Sequence, residues 1–201
     1  MLFLREITTA IRATLVLWVL TAVLYPVLML GIGAIFPYQA NGSMIVSQGK
    51  VVGSALIGQN FTADKYFWGR PSTTNYSSFT DKEKDPKNIG QTTGVSGASN
   101  YAPSNPDLLK RVSDTIGNLK KAGVTPTADL VYTSGSSLDP HITPEGAKAQ
   151  LDRVAKARSL PATQIEPLIA KNTEARFLGI FGEPAVNVLK LNLDLDVLKP
   201  I

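Results

Sequence analysis

One uncharged stretch constrains this chain more than any other feature. From Ala13 to Phe36 it reads ATLVLWVLTAVLYPVLMLGIGAIF, and no charged side chain follows until Lys50. As a helix rising roughly 1.5 Å per residue, the run is about 36 Å long. That spans a hydrocarbon core of roughly 30 Å with some tilt. Backbone amides in lipid must be paired within the segment, so a helix is the expected form. Pro26 removes one backbone bond and predicts a kink. Gly31 and Gly33 are small enough to let a partner helix come close. A secretory signal would have an apolar core of about 7–15 residues before a small-residue cleavage site. This run is longer and reads as a retained anchor.

Arg5 and Arg12 precede the span against a single acid, Glu6, and Pro37 to Gly49 holds no Lys or Arg. The positive-inside rule then places residues 1–12 in the cytoplasm, 13–36 in the membrane and 37–201 outside the cell. The part beyond the anchor is long enough for one domain with its own core. With no cysteine in the chain, thiolate catalysis and Cys-based zinc sites are excluded. A single histidine, His141, leaves little for a transition-metal site, and none is expected. Beyond residue 40 there are 18 basic and 15 acidic side chains, interspersed. No basic stripe marks a nucleic-acid partner, and the dense patch Asp81–Lys87 nearly cancels itself and reads as a solvated loop.

The exported part reads as α+β. Val51 to Gln59 suggests a strand bent at Gly53. Phe61, Tyr66, Phe67 and Trp68 crowd into eight positions before the turn Gly69-Arg70-Pro71. This cluster is either a core corner, a belt at the lipid headgroups, or a contact surface using Phe61, Tyr66, Phe67, Trp68 and Arg70. Residues 73–105 form a long polar loop. Its glycines Gly90, Gly94 and Gly97 lack the lysine a phosphate loop requires. Asn105-Pro106 caps a helix with Leu108, Val112, Ile116 and Leu119 on one face, and Gly123 ends it. Asp129 to Thr133 suggests a short strand. Thr143-Pro144 caps a second helix reaching about Ser159. Its apolar face is Ala147, Leu151, Val154 and Ala155, and its wet face is Lys148, Asp152, Arg153 and Lys156. Thr163 and Glu166 suggest a capping box for a third helix, with Pro167 in its first turn. Leu189, Leu191, Leu193, Leu195 and Val197 alternate with polar residues and predict a final strand. The domain is expected to hold two to four strands and three helices.

The segment Val131 to Thr143 gathers Ser134, Ser136, Ser137, Asp139 and His141. A catalytic triad brings its members together from separate parts of a fold. Here all lie in one connection, and the pattern G-x-S-x-G is missing. Turn and cap chemistry explains the same residues. An anchored hydrolase using Ser136 and His141, and an anchored solute-binding module, stand as alternative readings.

Six blocks then occur in order behind the anchor: GSALIGQNF (53–61), YFWGRPS (66–72), SGASNYAPSNP (96–106), SGSSLDPHIT (134–143), QLDRVAKAR (150–158) and PAVNVLKLNLDLD (184–196). This series resembles the C subunit of the Kdp potassium-transporting P-type ATPase over essentially the whole chain. Ala98 and Tyr101-Ala102 depart from the family pattern, and the loop Phe79 to Thr93 is longer. The resemblance implies an accessory, non-catalytic subunit of an ATP-driven potassium-uptake complex. Its partners would be a channel-like potassium-selecting subunit, a P-type pump subunit, a small single-span subunit and the lipid bilayer. The resemblance also implies a role as catalytic chaperone that raises the pump's affinity for ATP, with Gln150 as a nucleotide contact. No cofactor would be bound firmly, and ATP would act through the pump subunit. The charge reading places Gln150 outside the cell, whereas ATP hydrolysis is cytoplasmic.

Overall fold

The computed structural model describes residues 2–78 and 94–198. The chain divides into two units, residues 1–44 and 45–201. The loop Phe79 to Thr93, with the charged patch and Gly90, lies outside the described residues.

The first unit is one long helix with a short continuation. Helix α1 (Leu2–Trp18) runs into a π-helical turn, Val19–Leu24, and then into α2 (Tyr25–Ile35). A single turn, α3 (Pro37–Ala40), follows. The stretch Phe3–Ile35 is long and apolar enough to cross a membrane, and none of it is buried within the protein. It starts well before Ala13 because Arg5 to Arg12 continue the helical ladder, with Thr8 and Thr9 hydroxyls bonded back to Leu4 and Arg5 carbonyls. At roughly 1.5 Å per residue the helix exceeds a hydrocarbon core of about 30 Å, so one end must project into the headgroups or water. Pro26 sits in the first turn of α2, and the wide π turn stands directly before it. There the Tyr25 amide donates to Leu20, five residues back. The defect introduced by proline is thus taken up as a register change in the ladder.

The second unit opens with a hairpin of β1 (Met44–Ser47) and β2 (Lys50–Ser54). Strand β2 stops one residue past Gly53, and Ala55 to Gln59 turn away. Helix α4 (Pro106–Lys121) forms as the caps predict. Asn105 Oδ1 accepts the Asp107 amide at 2.8 Å, Leu119 is buried, and Gly123 adopts a φ of +73° where the helix ends. After the short helix α5 (Ala128–Val131), strand β3 (His141–Ile142), helices α6 (Pro144–Lys148), α7 (Leu151–Arg158) and α8 (Ala162–Lys171), and strands β4 (Thr173–Glu174) and β5 (Ala185–Asn187) follow. The sheet order is β3-β5-β4, antiparallel throughout, with Ile142 opposite Val186 and Thr173 on its other side. Helix α9 (Val188–Leu198) closes the described chain. Helices and strands surround one core that includes Phe67, Leu130, Ile142, Val154, Ile165 and Leu191.

Four expectations are corrected. The final strand is helix α9. Val188, Leu189, Leu191, Asn192 and Leu195 are the residues it buries, a helical spacing, while Val197 is largely exposed. Leucine is a strong helix former, and the stretch holds only two β-branched residues. Asp129 to Thr133 is not a strand but the turn α5. Asp129 accepts from the Thr127 hydroxyl (2.5 Å), the Thr143 amide (2.6 Å) and the Thr143 hydroxyl (2.9 Å), which bends the chain toward α6. The second helix is broken at Ala149–Gln150, and Arg153 leaves the wet face to be buried. Helix α8 has Pro161 as its cap with no side-chain bond, so the Thr163–Glu166 box does not form. Pro167 falls in the second turn, and Glu166 instead lies 3.7 Å from Lys148. The Thr143 cap is as expected, its hydroxyl accepting the Gly146 amide at 2.9 Å.

Gly58 lies where chain segments touch. Its amide donates to Leu138 O at 2.8 Å. A Cβ there would stand 2.5 Å from the Tyr76 ring and 2.7 Å from the Asp139 carbonyl oxygen. Gly58→Ala is therefore expected to destabilise the domain by about 1–3 kcal/mol, because backbone on one side cannot yield. Denaturant midpoints of the two full-length chains would measure it, and equal midpoints would refute the clash.

Candidate functional site

The aromatic segment Asp64–Trp68 is held by side chains from α7, from α9 and from Gln150 at the break before α7. Phe67 is fully buried, and its backbone is gripped on both polar groups by Asn192 of α9. Asn192 Oδ1 accepts the Phe67 amide at 2.8 Å, and Nδ2 donates to the Phe67 carbonyl at 3.0 Å. Trp68, the next residue, is gripped the same way by Gln150. The Trp68 amide donates to Oε1 at 2.8 Å, and Nε2 donates to the Trp68 carbonyl at 3.1 Å. Two side-chain amides thus do for consecutive residues what neighbouring strands do in a sheet, satisfying buried backbone without a ladder.

Two arginines complete the clamp. Arg153 donates to the carbonyls of Asp64 (2.6 Å) and Tyr66 (3.0 Å) and to Gln150 Oε1 (2.7 Å), and its guanidinium stacks 3.7 Å from the Trp68 ring centre. Burial pulls its pKa down to about 10, with Asp64 working against the fall, so it stays cationic at neutral pH. Arg158 has a fully buried side chain. It donates to the Lys65 carbonyl (2.7 Å), the Leu195 carbonyl (3.1 Å) and Asp196 Oδ1 (2.7 Å). The Tyr66 hydroxyl donates to the other Asp196 oxygen at 3.1 Å. Burial first, and then the Asp196 bond, raise the Tyr66 pKa.

Gln150 is completely buried. Its amide makes four bonds, the fourth from Nε2 to the Gly146 carbonyl at 3.2 Å, which uses both donors and both acceptor positions. A nucleotide could reach it only by displacing these partners. Of the contact candidates, Phe67 is a core side chain rather than a surface one. Phe61, Tyr66, Trp68 and Arg70 are half-buried, and Phe61 packs on Tyr66 at 5.2 Å between ring centres. Phe61, Trp68 and Arg70 also line a cleft of about 300 Å³, with Asn60, Tyr76 and Asn118. The Tyr76 hydroxyl donates to the Arg70 carbonyl, and burial pushes its pKa up to about 12. Gly31 and Gly33 lie in α2, where a Cβ at Gly31 would meet nothing within 4 Å and one at Gly33 would touch Ala40 at 3.5 Å.

The serine-rich connection serves as turn chemistry. Ser136 Oγ accepts the Leu138 amide at 3.1 Å, and the Ser137 hydroxyl donates to Gly97 O at 2.7 Å. The Gly97 amide donates to Ser136 O, so it too is occupied. His141 faces two acids instead of a serine. Its Nδ1 is 3.6 Å from Asp139, and its Nε2 is 3.4 Å from Glu174. Asp139 also accepts from Arg70 at 3.1 Å and from the His141 amide at 3.0 Å. Burial opposes the Asp139 charge, but the bonds from His141 and the charges of Arg70 and His141 outweigh it and hold the carboxyl below its usual range. Glu174 is lowered likewise, burial being overcome by Lys190 and His141. Both contributions to stability exist above about pH 4, where unfolded carboxyls are ionised, and fade as pH falls through the lower folded values. Asp139→Asn should therefore flatten the acid limb of the stability curve below about pH 4. Urea midpoints between acid and neutral pH measure this, and an unchanged limb would refute it.

Arg153, Arg158, Asn192 and Tyr76 were not apparent as site residues from the sequence. The signal available was the spacing of Gln150, Arg153 and Arg158, together with a lone amide, Asn192, among leucines. Fold and site together define a chain with one membrane-length helix among its described residues and a small mixed domain in which Gln150, Arg153, Arg158 and Asn192 are spent on internal clamps. The family model described as K+-transporting ATPase, c chain, matches residues 7–197. A potassium-transporting ATPase KdpC subunit 1 of Nostoc sp. is 60% identical over all of both chains. A KdpC subunit of Synechocystis sp. is 59% identical, covering 96% of this chain and 98% of the relative. One of Clostridium kluyveri is 44% identical, covering 96% and 94%. This chain belongs to the KdpC family of K+-transporting ATPase subunits and is an accessory subunit of potassium uptake.

Proposed function

We propose that this chain holds an ATP-driven potassium-uptake complex together without itself catalysing a reaction. The N-terminal helix fixes it among a channel-like potassium-selecting subunit, a P-type pump subunit and a small single-span subunit. The domain beyond residue 37 lies outside the cell and covers the potassium entrance. The observation that carries this reading is the clamp on Asp64–Trp68. Gln150, Arg153, Arg158 and Asn192 are all turned inward onto backbone, which suits a rigid cap. The charge asymmetry of Arg5 and Arg12 against an uncharged exit supports the external placement. ATP acts through the pump subunit, and this chain influences it as a catalytic chaperone through assembly geometry.

Co-purification tests the complex. The tagged full-length chain should bring down the membrane subunits with potassium-stimulated ATPase activity. Sidedness is tested at Ala157, which is exposed, unlike Gln150. In this cysteine-free chain Ala157→Cys should react with an impermeant thiol reagent in intact cells. Labelling only after the cells are opened would overturn the external placement.

A further inference from the structure

Between β4 and β5 the chain makes a three-residue hairpin turn whose tip is apolar. Phe177 and Phe181 pair across it, each amide donating to the other's carbonyl at 2.8 and 3.0 Å. Leu178 and Gly179 carry φ of +53° and +74°. Phe177 is 71% exposed, Leu178 73%, Ile180 72% and Phe181 61%. A leucine in the left-handed region is disfavoured, and four large apolar side chains standing in water are costlier still. At the base, Arg176 and Glu183 close an ion pair at 2.5 Å.

We infer that this hairpin is a plug that seats in an apolar pocket, rimmed by polar groups, on the extramembrane face of a membrane-embedded subunit of the same transport complex. The inference rests on the accessory-subunit reading. Three observations choose this occupant. The tip has two Phe, a Leu and an Ile but no Trp or Tyr, the residues favoured at lipid headgroups. Its base is neutral, because Glu183 cancels Arg176, so it lacks the surplus basic charge that draws a loop to anionic lipid. An apolar knob behind a polar rim is the anatomy of an interface centre. Size points the same way. With roughly 200 Å² per Phe, the tip presents on the order of 500 Å², less than the about 800 Å² per partner of a stable free-standing interface. Such a contact holds only where the chain is already tethered beside its partner, and the membrane-length helix of this chain supplies the tether.

The test uses the full-length chain in its complex. Leu178→Asn combined with Ile180→Ser removes half of the apolar tip and places Asn where a positive φ favours it. Recovery of the membrane subunits with the tagged variant should fall about tenfold, while the thermal midpoint of the chain stays the same or rises. A photoreactive phenylalanine analogue at position 180 keeps the tip apolar and should crosslink to a membrane subunit. Undiminished recovery, or crosslinks running only to lipid or to a second copy of this chain, would overturn the plug. If the unmodified chain itself recovers no membrane subunit, the accessory-subunit reading fails first.

Discussion

Arg158→Met is expected to lower the unfolding free energy of the domain by about 1–3 kcal/mol, the cost of leaving a buried acceptor without its donor, because Asp196 itself is 39% exposed and keeps its contact with water. Methionine has similar length and keeps much of the packing, so the loss isolates the charged fork. Without the fork, the carbonyls of Lys65 and Leu195 are left in the interior without this donor, and Asp196 keeps only the Tyr66 hydroxyl among the bonds described above. Arg158→Lys should rescue only part of the loss, since a single ammonium cannot reach three oxygens in the fixed geometry of a guanidinium. Chemical denaturation of the full-length chains, followed by circular dichroism, measures both. A loss below about 1 kcal/mol for methionine, the value of an exposed pair, would show that the arginine is not confined as described.

Gln150→Leu should cost about 3 kcal/mol, because the amide and carbonyl of Trp68 both lose their partner inside the protein. For a domain of this size that is a fall of about 6–12 °C in the thermal midpoint. The same variant separates two views of this residue. If Gln150 serves the fold, the apparent ATP affinity of the assembled complex changes only in step with the lost stability and recovery. If it touches nucleotide, a change in ATP affinity would appear in complexes whose thermal midpoint is unaltered. The four internal bonds favour the first outcome.

The legible parts of this chain were those governed by local rules. An uncharged run of membrane length, an Asn-Pro cap before a helical apolar face and a Thr-Pro cap at residue 143 each act within a few residues, and each appears as read. The serines and Asp139 acting on turns belong with them. The parts missed depend on distant neighbours. Leucines at 189, 191, 193 and 195 fit a strand as well as they fit a helix, and only the packing of Val188, Leu191, Asn192 and Leu195 decides. Arg153 reads as a solvent-facing cation until the backbone of Asp64 and Tyr66 arrives to receive it. Phe67 reads equally as a core corner or a contact residue, and packing decides for the core. Asn192, from the last helix, grips its backbone across 125 residues of sequence.

The π-helical turn Val19–Leu24 sets the angular phase of the long N-terminal helix. A wide turn of this kind holds one more residue than a regular one, and one residue corresponds to about 100° around a helix axis. Residues up to Trp18 are therefore turned by about 100°, relative to residues from Tyr25 onward, from where an unbroken α-helix would put them. A single regular helix would present one continuous stripe to its neighbours. This one presents two stripes facing different directions, so its two halves can address two different helices at once.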